Sequence, residues 1–145
     1  IVSDELRDRT QSHELNWLEV EAGSRRQPLA RVNIKLPSGE ESVAEASGDG
    51  PVDSIFGAIQ KATGNDAELR EFRVGAVTGG DDALGEVTVT LRDEGRNASG
   101  QGVSTDILEA SARAYVRALS NLLDGMATAE AEAATADAAS ELTGP

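Results

Sequence analysis

Apolar and polar residues alternate through several short stretches of this chain, and the pattern twice gives way to a helical period. Residues 15–22 (LNWLEVEA) place Leu18, Val20 and Ala22 on one face and Trp17, Glu19 and Glu21 on the other. Successive strand side chains point to opposite faces, so this is the pattern of a half-buried strand. Residues 29–36 repeat it more cleanly, with Ala30, Val32, Ile34 and Leu36 opposing Arg31, Asn33 and Lys35. Pro37-Ser38-Gly39 then predicts a turn into a small, polar strand at 41–46. From Val52 the period changes: Val52, Ile55, Phe56, Ile59 and Ala62 fall on one helical stripe. Pro51 suits the first helical position, where its missing N–H leaves no bond unmade. Gly64-Asn65 closes the helix.

The same order follows again. Residues 67–78 read as a strand with Phe72, Val74 and Ala76 on one face. A loop at Gly79-Gly80-Asp81-Asp82 leads to residues 85–92, where Val87, Val89 and Leu91 alternate with Thr88, Thr90 and Arg92. Asp93-Glu94-Gly95 turns the chain into a short polar strand at 96–100. A second helix is predicted at 106–124, its stripe running Ile107, Leu108, Ser111, Ala114, Tyr115, Ala118, Leu119, Leu122 and Leu123, with Ser104 as N-cap and Gly125 as stop. Residues 46–54 (ASGDGPVDS) and 98–106 (ASGQGVSTD) punctuate the two halves alike: Ala-Ser-Gly, a second Gly two positions on, then an Asp. Both read as a strand end, a glycine turn and a helix start. The fold class is therefore α+β, two βββα units over 15–64 and 66–125. Residues 1–14 read as a polar connector with a short helix at 4–9, and 126–145 as a disordered, acidic, Ala-rich tail without an apolar stripe.

Composition narrows the chemistry. The 145 residues make about one domain. Without cysteine there is no disulfide framework and no thiolate metal site. The longest apolar run is too short to cross a bilayer, and the first residues lack a signal-peptide pattern, so a cytoplasmic location is expected. The first residue is not Met, which suggests a fragment of a longer protein. A net charge of −13 argues against nucleic acid and anionic membranes as partners. Lys35 and Lys61 are the only lysines among thirteen basic residues. An acidic, lysine-poor surface fits a protein kept soluble at high salt, hence a halophilic source, and fits equally an acidic protein from a GC-rich genome.

Catalytic patterns are scarce: no His–carboxylate pair, nucleophile elbow or Walker-type loop is present. His13, the sole histidine, reads as a solvated connector residue. Asp53 and Asp106 stand at helix starts, where carboxylates ordinarily cap or oppose the dipole. The two glycine turns offer instead amide groups at helix N-termini, which favour an anion such as the carboxylate of an amino acid.

Four runs carry a resemblance: Gly48-Asp49-Gly50-Pro51-Val52-Asp53; Asp81-Asp82-Ala83-Leu84-Gly85-Glu86-Val87-Thr88-Val89; Gly100-Gln101-Gly102-Val103-Ser104-Thr105-Asp106-Ile107; and Ala110-Ser111-Ala112-Arg113-Ala114-Tyr115. In order and spacing they closely resemble the C-terminal regulatory domain of 2-isopropylmalate synthases, shared with citramalate synthases, over residues 15–123. The resemblance implies two βββα units related by a pseudo-twofold, a homodimer, and an end-product amino acid as effector. That effector is leucine for the former enzymes and isoleucine for many of the latter. It also implies a separate catalytic barrel that condenses acetyl-CoA with a 2-oxoacid, upstream in the same polypeptide, so the chain alone should lack activity and need no cofactor or metal. The effector pocket it implies has Val52, Leu69, Phe72, Ala76, Ala83 and Val103 as its apolar wall. The amides around Gly50, Pro51 and Asp53 would hold the carboxylate, and Asp81 or Asp82, or nearby carbonyls, the ammonium. Phe72 stands where some relatives have Tyr, which removes a hydroxyl, and Leu69 and Phe72 fit core packing as well as ligand contact. A stand-alone amino-acid-binding dimerisation module and a small enzyme using clustered carboxylates are the alternatives.

Overall fold

The strands form where the alternation places them, and each set of three is followed by a helix laid across one face. The structure, a computed structural model, describes residues 12–77 and 84–142, with side chains as far as Gly125. Strands β1 (Glu14–Gly23), β2 (Arg26–Lys35) and β3 (Glu41–Ser47) pair in that order as one antiparallel sheet, and helix α1 (Pro51–Thr63) follows. Strands β4 (Glu68–Val77), β5 (Leu84–Asp93) and β6 (Arg96–Ser104) make a second antiparallel sheet, followed by helix α2 (Ile107–Leu142). The fold is α+β, with βββα occurring twice. Among the described residues no helix is long and apolar enough to cross a membrane.

The central strands carry the core. Ala30, Val32 and Ile34 of β2 are fully buried, and so are Val87, Val89 and Leu91 of β5. α1 lays Ile55, Ala58 and Ile59 over β2 and β3, while α2 lays Ala114, Ala118 and Leu119 over β5 and β6. Burying each large aliphatic side chain is worth roughly 1.5–3 kcal/mol. On the outer face of the first sheet, Arg31 meets Glu45 at 2.8 Å and Glu19 at 3.6 Å. Exposed pairs of this kind contribute at most about 1 kcal/mol each, so the buried rows hold the sheets.

Both units carry a bulge near the start of their first strand, at Asn16 in β1 and Arg70 in β4. Their hairpins differ. Ser24-Arg25 joins β1 to β2 tightly, and Glu94-Gly95 does the same for β5 and β6. The longer loops, 36–40 and 78–83, therefore sit at different steps of the two units.

Three boundaries depart from the sequence reading. The repeated Ala-Ser-Gly motif predicts a glycine turn in both units, but only Gly48 and Gly50 form one. Gly100 and Gly102 lie inside β6, where a side chain would collide with the backbone of α2 at Ala118, Ala114 and Ala110. Here glycine admits a helix rather than turning the chain. Since β6 continues to Ser104, the helix cap moves from Ser104 to Asp106. Asp106 Oδ1 accepts from the Leu108 amide at 2.9 Å, and Ser104 Oγ accepts from the Asp106 amide at 3.0 Å one step earlier. The second helix does not stop at Gly125 but runs to Leu142. Gly64 ends α1 because it turns left-handed, at φ 66°; Gly125 keeps a negative φ. A helical glycine costs only about 1 kcal/mol against alanine, and the alanines beyond it are the strongest helix formers.

His13 also differs from its reading as a solvated residue: it is half-buried, and its amide donates to Ser120 Oγ of α2 at 3.0 Å. The short helix expected at 4–9 and the residues Asp81, Asp82 and Ala83 lie outside the described residues.

Candidate functional site

The start of α1 is built by its glycine turn. A Cβ at Gly48 would come within 2.8 Å of Asp53 Cβ, so only glycine lets the turn fold onto the helix. Gly50 is the N-cap, in extended backbone and without a side chain to cap with; Pro51 follows it. The Ser54 amide donates to the Gly50 carbonyl at 3.0 Å, and Ser54 Oγ donates to the same oxygen at 2.9 Å. The Val52 and Asp53 amides of the first turn have no acceptor within the helix, as in any α-helix start, and the dipole there favours negative charge.

Beside this helix start opens a cleft of about 370 Å³, within the size range of small-molecule sites, about 300–1,000 Å³. Gly48 and Asp49 form one side of it, Asp53 and Gln60 of α1 another; Leu69 of β4 and Tyr115 of α2 close it, with Phe56 among them. It therefore lies where the two units meet. Phe56 links its aromatic members. Its ring centroid is 4.7 Å from that of Tyr115, and 5.8 Å from that of Phe72 in an edge-on contact at 76°. Gln60 Nε2 donates to the Tyr115 hydroxyl at 3.2 Å, a bond from the first unit to the second. Burial raises the Tyr115 phenol above its ordinary pKa, and the Gln60 bond opposes this in part.

The cleft thus offers three kinds of contact. Asp49 and Asp53 suit a cation, Leu69 with the aromatic rings suits an aliphatic group, and the neighbouring helix start suits a carboxylate. Among the described residues no arginine or lysine lines it. A small zwitterion with an apolar side chain matches all three.

The residues singled out from the sequence are distributed as follows. Asp53 and Leu69 line the cleft together, and Phe72 touches its Phe56 wall. Gly50, Pro51 and Val52 form the helix start, with half-buried Val52 packed on the core. Ala76 lies further along β4, paired with Gly85. Val103 is brought to a different place. It pairs with Glu86, out of step with the buried Val87–Gly102 row, and lines a separate cleft with Ser104, Arg113 and Arg117. Asp49, Gln60 and Tyr115 were not singled out by sequence. The available signal was Gln60, a polar residue four positions after Phe56 and so on the same side of α1.

β4 adds an uncovered surface. Phe72 and Val74 pair with the buried Val89 and Val87, so they share the face that α2 covers on β5 and β6. Yet Leu69, Phe72 and Val74 remain 42%, 37% and 48% exposed.

Comparison with known proteins gives a family. The family model described as the LeuA allosteric (dimerisation) domain matches residues 1–123. The chain is 44% identical over 122 residues to a 2-isopropylmalate synthase of Crocosphaera subtropica, covering 84% of this chain and 23% of the relative. It is 43% identical over 136 residues to one of Heliobacterium modesticaldum, covering 92% and 26%. A third, from Carboxydothermus hydrogenoformans, is 43% identical over 124 residues, covering 85% and 24%. The chain thus spans about a quarter of the length of these relatives.

Proposed function

The chain belongs to the LeuA allosteric (dimerisation) domain family, and from that premise we propose that it binds leucine in the α1 cleft. Binding there turns down a 2-isopropylmalate synthase catalytic region of the same polypeptide, which joins acetyl-CoA to 2-oxoisovalerate. The observation that carries this reading is the cleft itself: two carboxylates and an apolar wall converge beside the start of α1, where the units meet. Leucine's carboxylate takes the first-turn amides, its ammonium faces Asp49 and Asp53, and its isobutyl group lies against Leu69 and Phe56. Burying that group is worth perhaps 2–3 kcal/mol. Feedback needs a difference of only about 1–3 kcal/mol between two domain arrangements.

Two subunits pair through the exposed row of β4 in this reading. A second copy would cover Phe72 and Val74, which one chain leaves open. A homodimer then places two α1 clefts beside the shared surface, so that occupancy alters how the subunits pack.

Calorimetry of the chain against leucine, isoleucine, valine and lysine tests the effector. Heat of binding from leucine, several-fold tighter than from the others, supports the reading. A preference for isoleucine would move it to the citramalate synthase branch, and silence from all four with folded protein would defeat it.

A further inference from the structure

Two hydrogen-bonded links join the units through α2. One is the Gln60–Tyr115 bond in the cleft. The other lies five residues further along the helix, at Ser120, and holds the start of the first unit. Ser120 is 7% exposed. Its hydroxyl accepts from the His13 amide at 3.0 Å and donates to the His13 carbonyl at 3.4 Å, across 107 residues of chain. A helical serine commonly turns its hydroxyl onto the carbonyl four residues back, as Ser111 does to Ile107 at 2.7 Å. Ser120 instead holds both polar backbone groups of one residue of the connector.

The imidazole is packed in with its backbone. His13 Nδ1 is buried and has no hydrogen-bond partner among the described residues. The ring lines a cleft of about 240 Å³ with Leu15, Val116, Arg113, Arg117 and Glu14. We infer that Ser120 and His13 form a latch that holds the connector against α2 while the imidazole is neutral and opens when it takes a second proton. A neutral imidazole carries one N–H and can leave Nδ1 bare; the imidazolium carries N–H on both nitrogens. A buried donor without an acceptor is costly, and turning the ring out to water relieves it.

Burial decides the direction, and charged groups flank the ring. Glu14 of β1 carries the one negative charge among the described residues lining the cleft. Arg113 and Arg117 of α2 line it too, and both are held in place: Arg113 by Glu109 at 2.8 Å, Arg117 by the Gln101 carbonyl at 3.2 Å. Burial lowers the His13 pKa. The folded form therefore binds the proton less readily than the unfolded chain. The latch is closed above the ordinary histidine value of about 6.5 and is lost as pH falls below it. Its bearing on regulation rests on the leucine reading, since movement of α2 at Tyr115 would reach the connector through Ser120.

Hydrogen exchange over residues 12–15 of the whole chain tests the latch, at about pH 7.5 and about pH 5.5, either side of the histidine range. Protection, corrected for intrinsic rate, should fall about tenfold at the lower pH, the scale of one lost hydrogen bond. His13→Gln should keep protection at both pH values, and Ser120→Ala should lose it at both. Equal protection of the wild type at the two pH values, or full protection in Ser120→Ala, overturns the latch. Ser120→Ala should bind leucine as the wild type does at the higher pH. A wild type that ignores leucine counts against the effector reading and leaves the exchange result standing.

Discussion

Gly48 and Gly50 sit two positions apart in one turn and do different work. Gly48 faces Asp53 and Ser54 too closely for a side chain. Gly48→Ala should therefore cost about 1–3 kcal/mol of stability, as overpacking does, read from a urea midpoint. Gly50 has open space and extended backbone, at φ −147°. Gly50→Asp should leave the unfolding temperature nearly unchanged while weakening leucine at least about tenfold, because it sets a third carboxylate against the ligand's own. Retained affinity in that variant would move the carboxylate site elsewhere. Glu94 is a third special position: it occupies the left-handed region at φ 50° in a two-residue hairpin that usually prefers Asn-Gly. Glu94→Asn should stabilise the chain by about 0.5–1 kcal/mol, part of the strain a side chain meets there. The Gly48–Gly50 turn was legible because Pro51 marks where the helix must start. Tyr115 was legible only as a core residue, since no local pattern shows that its hydroxyl reaches Gln60 of the other unit.

At the scale of elements, the hydropathy period located four strands and both helices, and turn residues located the polar strands β3 and β6. The repeated glycine motif misled at β6. Ala98-Ser99-Gly100 repeats Ala46-Ser47-Gly48 letter for letter, yet in the second unit the glycines face a helix and in the first they turn the chain. The difference is tertiary: Gly100 and Gly102 lie under Ala110, Ala114 and Ala118, and a small residue on each side lets the elements approach. Gly102→Ala should push α2 away from β6 and lower stability by about 1–3 kcal/mol or more, measured by denaturant midpoint. An unchanged midpoint would mean that helix and strand can separate freely. The far end of α2 was misread for a related reason. Absence of an apolar stripe argues against packing but not against helix, and alanine supplies the propensity.

At the scale of the whole molecule, the described surface carries an exposed apolar row on β4, and Trp17 and Val43 are exposed on the first sheet. If that row joins two subunits, Phe72→Asp should shift the chain toward monomer in sedimentation, while Trp17→Asp on the first sheet should not. A Phe72→Asp chain that sediments as the wild type would place the pairing surface elsewhere. The net charge of −13 bears on salt. In a halophilic protein, stability should rise from low to molar salt as repulsion is screened. Full stability without added salt would leave only an acidic composition. The cleft beside α1 was half legible in the sequence. Asp53 and the helix start follow from the glycine motif and Leu69 from the family resemblance, but their meeting depends on α1 crossing to the second unit, which no local pattern encodes.

Amide chemical shifts of the labelled chain during a leucine titration test the central claim most directly. The largest changes should cluster at Gly48–Ser54, at Leu69 and around Tyr115, saturating with one shared midpoint. Changes centred instead on Val103 and Arg117, or none at all in the folded chain, would contradict it.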